Sequence, residues 1–221
     1  MIISLHSECV TVVDLVKLTN EQENLARVVR RYDDTSPSHT VVIGVDVAYS
    51  EDFAAGAALA LNITTKKVIA STTIIRNIES DYIPGFFQLR EGPILVELIH
   101  NLKTSGTVLV DGNGILHPRR FGLASYLGVM MDVQTVGVAK KLLIGAVSPR
   151  SGNTADIIHE GEVIGRALWL REKKPLYVSI GHRISLDTAI TVVSKSSVDG
   201  YPEPLRRAHR LSKETLSAEM N

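Results

Sequence analysis

The 221-residue sequence holds a single cysteine, Cys9, so no intramolecular disulfide and no cysteine-based zinc site can form within it. A reducing, cytoplasmic setting is expected. Long apolar runs are also missing. The best of them, Phe53 to Leu61, is nine residues long and contains Gly56, far short of the ~18 residues that mark a membrane span. The opening stretch MIISLHSECVTVVDLVK has no basic residue before Lys17 and carries Glu8 and Asp14, unlike the charged start of a signal peptide. Neither a membrane partner nor export is therefore expected. Net charge is absent as well, yet its distribution is uneven. Residues 1–165 carry 14 Lys and Arg against 18 Asp and Glu, a balance of −4, while residues 166–213 carry 10 against 4, a balance of +6. Such a basic segment suits a polyanionic partner, although a solvated helix face gives the same count.

No internal repeat, low-complexity tract or linker divides the chain, and 44% apolar residues suffice for a conventional core, so one domain over residues 1–221 is expected. Asp14 to Arg31 has helical apolar spacing, and Asp33 to His39 is rich in loop formers. Three runs of β-branched or small apolar residues follow, Thr40 to Ala48, Phe53 to Leu61 and Val68 to Ile75. Their connectors are short enough for an antiparallel meander. The period then changes. Glu91 to Leu102 reads as a helix with Pro93 in its first turn, Thr107 to Val110 as a strand, Phe121 to Met131 as a helix and Thr135 to Val138 as a strand. Leu176 to Ile180 is a further strand, Leu186 to Ser194 a helix that Ser185 can cap, and Glu203 to Ser212 a basic helix. A meander followed by βαβ units makes an α/β fold with a mixed central sheet flanked by helices.

Asp46 interrupts VVIGVDVAYS, which otherwise reads as a buried strand, where an unpaired carboxylate costs several kcal/mol. Asp111 ends the strand of TVLVDGNG at a glycine turn, the place where α/β sheets put ligands. Glu91 lies at the start of the helix before that strand. Three acids from three elements can converge into an all-oxygen site for Mg²⁺, with Mn²⁺ as a substitute. Each also has a simpler role open to it: Asp46 in an ion pair, Glu91 at a helix N-terminus, Asp111 in an Asx-turn. Around Asp111, Gly112 and Gly114 permit close approach of a ligand, His117 can orient a water, and Arg119 and Arg120 can grip phosphates. Lys140 and Lys141 stand at the next strand end.

Together the blocks VIGVDVAYS, YIPGFFQLREGP, LVDGNGILHPRRFGLASYLG, VGVAKKLL and GHRISLDTA resemble the endonuclease V family, deoxyinosine-cleaving repair nucleases of the ribonuclease H-like fold. The resemblance runs in order from about Val12 to Glu214. It implies that Asp46, Glu91 and Asp111 are the metal ligands and that His117 and Lys140 share in catalysis. It also implies that Tyr82, Ile83 and Pro84 form the wedge that enters the helix beside the damaged base. Asp81 stands where many relatives have proline. His209 in RRAH matches a histidine of the family's C-terminal block. Gly85, Gly112, Gly114, Gly122 and Arg119 are expected to contact the substrate. The implied reaction is hydrolysis of the second phosphodiester 3′ to the lesion in inosine-containing DNA, or inosine-containing RNA, leaving a 5′-phosphate and a 3′-hydroxyl, by a monomer. Another ribonuclease H-like nuclease, such as a junction resolvase or RNA/DNA-hybrid nuclease, would share the acids without needing YIPG. A non-catalytic nucleic-acid binding module would need no acid in a core strand.

Overall fold

A computed structural model describes residues 2–4, 11–33, 39–78, 83–171 and 174–220. The chain order begins with β1 (Ile2–Ser4), β2 (Thr11–Val13), α1 (Leu15–Ala26), β3 (Val41–Tyr49), β4 (Phe53–Asn62) and β5 (Val68–Asn77). It continues through α2 (Phe87–Leu102), β6 (Thr107–Asp111), α3 (Leu123–Met131), β7 (Thr135–Ala139), β8 (Ala146–Val147), β9 (Thr154–His159) and β10 (Glu162–Leu168). It ends with β11 (Leu176–His182), α4 (Leu186–Ser196), β12 (Ser197–Val198), β13 (Tyr201–Pro202) and α5 (Glu203–Glu219). Nine strands form one mixed sheet in the order β5-β4-β3-β6-β7-β11-β10-β9-β8. The β3-β4-β5 meander is antiparallel, as its short connectors require, and β3, β6 and β7 run parallel through helical crossovers. Among the described residues no helix is long and apolar enough to cross a membrane.

Alternation along the strands divides the core between two faces. On one, Val42, Leu109, Val136 and Val178 meet Val192 and Val193 of α4 and Leu205 of α5. On the other, Ile43, Val45, Val108 and Val110 meet Leu95 and Leu98 of α2 and Leu123 and Leu127 of α3. β4 is nearly all buried, and its run of alanines lets helices lie close on both sides. Gly44 is the tightest of these approaches, because a Cβ there would overlap the backbone of Pro204 at the start of α5.

Several elements differ from their sequence reading. α2 starts at Phe87 rather than at Glu91, so Glu91 lies in the second turn and Pro93 removes an amide donor from inside the helix. α1 is shorter, ending at Ala26, with Asp14 capping it by accepting from the amides of Val16 and Lys17. Ser185 caps α4 through the Thr188 amide. The β9-β10 hairpin has no counterpart in the sequence reading. Its two-residue turn, Glu160 and Gly161, has φ of 54° and 78°, both left-handed, as a twist-matched hairpin turn demands.

Gly44→Ala should force α5 away from β3 and cost roughly 1–3 kcal/mol of stability, the usual range for an overpacked core. A lowered urea midpoint at unchanged slope is the expected observation.

Candidate active site

The parallel register of β3 and β6 pairs Val45 with Val110, so the next residues are Asp46, inside β3, and Asp111, the last of β6. Glu91 reaches the same place from α2, which covers the opposite face of the sheet. The three carboxylates line one cavity of about 200 Å³ with Val45, Phe87 and Leu95. Each strand aspartate has partners of its own. Asp46 accepts from the Ser212 hydroxyl at 2.5 Å, and the His209 Nδ1 lies 3.2 and 3.3 Å from its two oxygens. Asp111 Oδ2 accepts from Lys140 Nζ at 2.6 Å and from the Tyr201 hydroxyl at 3.1 Å, and the Lys140 ammonium sits 4.9 Å from the Tyr201 ring centre.

Glu91 is the electrostatic outlier. Burial, then the charges of Asp46 and Asp111, push its carboxyl up to about 8. Tyr49, under the Arg90 guanidinium, is raised far above the ordinary phenol range by burial and by Glu91. Tyr201 is likewise raised, by burial and by Asp111. Among the described residues, no three His, Cys, Asp or Glu side chains come close enough together to enclose a metal ion. The donor set nonetheless fits a hard divalent cation in type: it is all carboxylate, and a cation would relieve the repulsion that Asp46 and Asp111 add to the burial of Glu91.

A second cavity, of about 250 Å³, adjoins the first across Phe87, which lines both. Its walls include Gly85, Gly112, Asn113, His117, Gly122 and Leu123. His117 thus lies in this second wall rather than in the carboxylate cavity. It is 5% exposed. Burial, and then the Arg119 cation, lower its pKa to about 4, so near neutral pH the ring is uncharged and a poor proton donor to a leaving group. Its Nδ1 accepts from the Arg119 amide at 3.3 Å, which assigns the ring proton to Nε2.

The glycines divide. A Cβ on Gly112 would make ordinary van der Waals contact with Leu123 and Val110, at 3.8 Å and beyond, whereas Gly122 packs on the Asn113 carbonyl. Gly114 does not line the cavity, being pressed against the backbone of Ile180 and Gly181. Gly85 has φ of +79°. Arg119, expected to grip phosphate, instead donates to the Gly85 carbonyl at 2.6 Å, to Gln22, and lies 4.4 Å over the Phe86 ring. Arg120 pairs with Glu162 and Glu160. Of the expected wedge, Ile83 is buried, Pro84 and Gly85 are exposed, and Asp81 and Tyr82 lie outside the described residues. The sequence reading missed Tyr49, Tyr201, Ser212 and Gln22. Only Ser212 had a signal, since it follows His209 by three residues on a helix and so shares its face.

Two pH dependences of stability follow for protein stripped of divalent cations. Between pH 4.5 and about 8 folded Glu91 keeps a proton that the unfolded chain has released, so its contribution to stability falls as pH rises through that window. Glu91→Gln should therefore raise the melting temperature at pH 8 to 9, with the gain vanishing near pH 4.5. His117 acts in the other direction. Between pH 6.5 and about 4 the unfolded chain binds a proton that the folded ring refuses, so stability is lost as pH falls through that window. His117→Asn should flatten that acid limb in thermal melts.

The endonuclease V family profile matches residues 23–210. The endonuclease V of Dictyoglomus thermophilum is 38% identical over 194 residues, covering 85% of each chain. Among solved structures, the endonuclease V of Streptomyces avermitilis superposes with a TM-score of 0.87 at 32% identity, covering 95% of this chain and 96% of that one. That of Ciona intestinalis, in complex with a 24-mer DNA containing an inosine followed by a ribo-adenosine, has a TM-score of 0.81 at 29% identity, covering 92% and 98%. Three carboxylates lining one cavity, in a chain with this sequence and this topology, leave one conclusion: the chain belongs to the endonuclease V family and is a nuclease.

Proposed function

We propose that the protein is a metal-dependent endonuclease that selects deoxyinosine in DNA and hydrolyses the second phosphodiester 3′ to it, leaving a 5′-phosphate and a 3′-hydroxyl. The observation that carries this reading is the pair of adjoining cavities: one is lined by Asp46, Glu91 and Asp111, the other is small and has His117 in its wall. The inosine-containing DNA bound to the Ciona relative supports it. Because that DNA carries a ribonucleotide after the inosine, a 3′ ribose is a second acceptable substrate feature. We further take the 221 residues to act as one domain, as a monomer and in the cytoplasm.

Asp46, Glu91 and Asp111 would hold Mg²⁺, with Mn²⁺ as a substitute. Held there, such a cation would supply neutralisation of phosphate charge and acidification of the attacking water. The protein's own groups account for the rest. Lys140, already drawn to Asp111, is placed to meet negative charge that develops on the reacting phosphate. His209 and Ser212 fix the orientation of Asp46. In the second cavity, the neutral His117 holds the Gly85 backbone in the wall, and Gly112, which has no side chain, borders the space for an extruded base. Hypoxanthine lacks guanine's exocyclic amino group and pairs weakly, so it is cheap to extrude, and a tight cavity rejects larger bases. Tyr82, Ile83 and Pro84 are assigned to the wedge beside it, with the buried Ile83 as its root.

The test is cleavage of matched oligonucleotides bearing one deoxyinosine, one inosine or an unmodified adenine, with Mg²⁺ or with EDTA, followed by mapping of the cut. Scission at the second phosphodiester of the inosine strands alone, and only with the cation, is expected. Equal cutting of the unmodified strand, or full activity in EDTA, would sink the reading. Asp46→Asn and Asp111→Asn should each lose ~100-fold or more in turnover, as removal of an electrostatic centre does, while still binding DNA. Gly112→Ala adds a methyl group to the wall of the second cavity, in ordinary contact with Leu123. It should leave the melting temperature nearly unchanged while raising KM for the deoxyinosine duplex.

A further inference from the structure

α1 lies at the periphery, and its one buried residue is not apolar but Gln22, 2% exposed. A buried amide is tolerated only where its hydrogen bonds are made. Gln22 makes them to three residues in two segments. Its Nε2 donates to the Gly85 carbonyl at 3.1 Å and to the Phe121 carbonyl at 3.4 Å, and its Oε1 accepts from Arg119 Nε. Arg119 donates in turn to the same Gly85 carbonyl at 2.6 Å, and the Gly85 backbone also hydrogen-bonds His117. One carbonyl, on a glycine whose left-handed φ a side chain would strain and whose missing Cβ makes room for the Arg119 guanidinium, thus gathers the amide of α1, the arginine and the histidine.

Gly85, His117 and Gly122 are wall residues of the second cavity, and Phe121 precedes Gly122. We infer that Gln22 is a positioning residue for base selection: it pins the Ile83–Gly85 turn to the His117–Gly122 loop and so sets the width of the second cavity without touching the base. α1 then belongs to the recognition apparatus, and Arg119 serves it as a brace. The inference rests on the reading of that cavity as the base site.

The test is steady-state cleavage of a deoxyinosine duplex, with an unmodified duplex as competitor. Gln22→Met fills the same space without the hydrogen bonds. It should raise KM for the deoxyinosine duplex on the order of 10-fold, the usual consequence of unmaking a buried hydrogen bond. Turnover and inhibition by the unmodified duplex should hardly change. Gln22→Glu keeps the acceptor for Arg119 but turns an acceptor towards the Gly85 carbonyl, and should show the same KM-directed loss; it decides the matter if Gln22→Met does not fold. Ser196→Ala, at a fully buried hydroxyl at the end of α4, is the comparison. It should lower melting temperature and leave KM alone. Wild-type KM in both folded Gln22 variants overturns the role of Gln22 only. A wild-type protein that does not prefer the deoxyinosine duplex overturns the base-site reading, and this inference with it.

Discussion

Two carboxylates on neighbouring parallel strands, one inside β3 and one ending β6, are the constraint around which the rest is arranged. Val45 opposite Val110 fixes the register, and the next step along each chain is an aspartate. Such a pair repels itself unless cations or donors intervene. The chain supplies them from its far C-terminal part: His209 and Ser212 on α5 for Asp46, and Tyr201 on β13, with Lys140 just after β7, for Asp111. Glu91, arriving from the other face, is pushed up chiefly by its burial and then by the charge of Asp46, with Tyr49 and Arg90 opposing the shift. The carboxylate cavity thus joins one acid with raised proton affinity to two acids that have hydrogen-bond partners.

That arrangement explains the close packing of α5. The helix must come near enough to β3 for Ser212 to reach Asp46, and Gly44, two residues before Asp46 on the same face, is where the backbones meet. A residue with a side chain there would fill the gap with core and lift the donors away from the acid. Gly44 therefore couples packing to electrostatics.

The sequence made the central architecture legible because its strongest signals are local. The meander announces itself by three apolar runs with short connectors, and the βαβ units by the change of period after Val68 to Ile75. Asp46 and Asp111 were legible for the opposite reason, as charges that break apolar strands. The β9-β10 hairpin was not, since its turn is Glu-Gly rather than Asn-Gly and the register of β10 shifts between Val163 and Gly165, which spoils the alternation. Pro93 misplaced the start of α2, because a proline suits a first turn and here occupies a second. The family resemblance named candidate residues that spacing alone could not. The geometry then separated their surroundings: His117 and Gly112 face one cavity, the acids another, and Gly114 neither.

What spacing could not reveal is how far each partner lies along the chain. Gln22 meets Gly85 and Phe121 across 63 and 99 positions, and Ser212 meets Asp46 across 166. Such contacts leave no periodic trace, because a single polar residue on an amphipathic helix is the commonest of sequence features. Its meaning comes only from what it is buried against. Arg119 shows the same limit from the other side: an arginine beside a glycine-rich loop reads as a phosphate ligand, yet its guanidinium is spent on Gly85, Gln22 and the Phe86 ring. A charge so engaged contributes rigidity rather than attraction. Under the proposed reading of the second cavity as the base site, that is the more useful property, since a cavity discriminates by one amino group only if its walls do not yield.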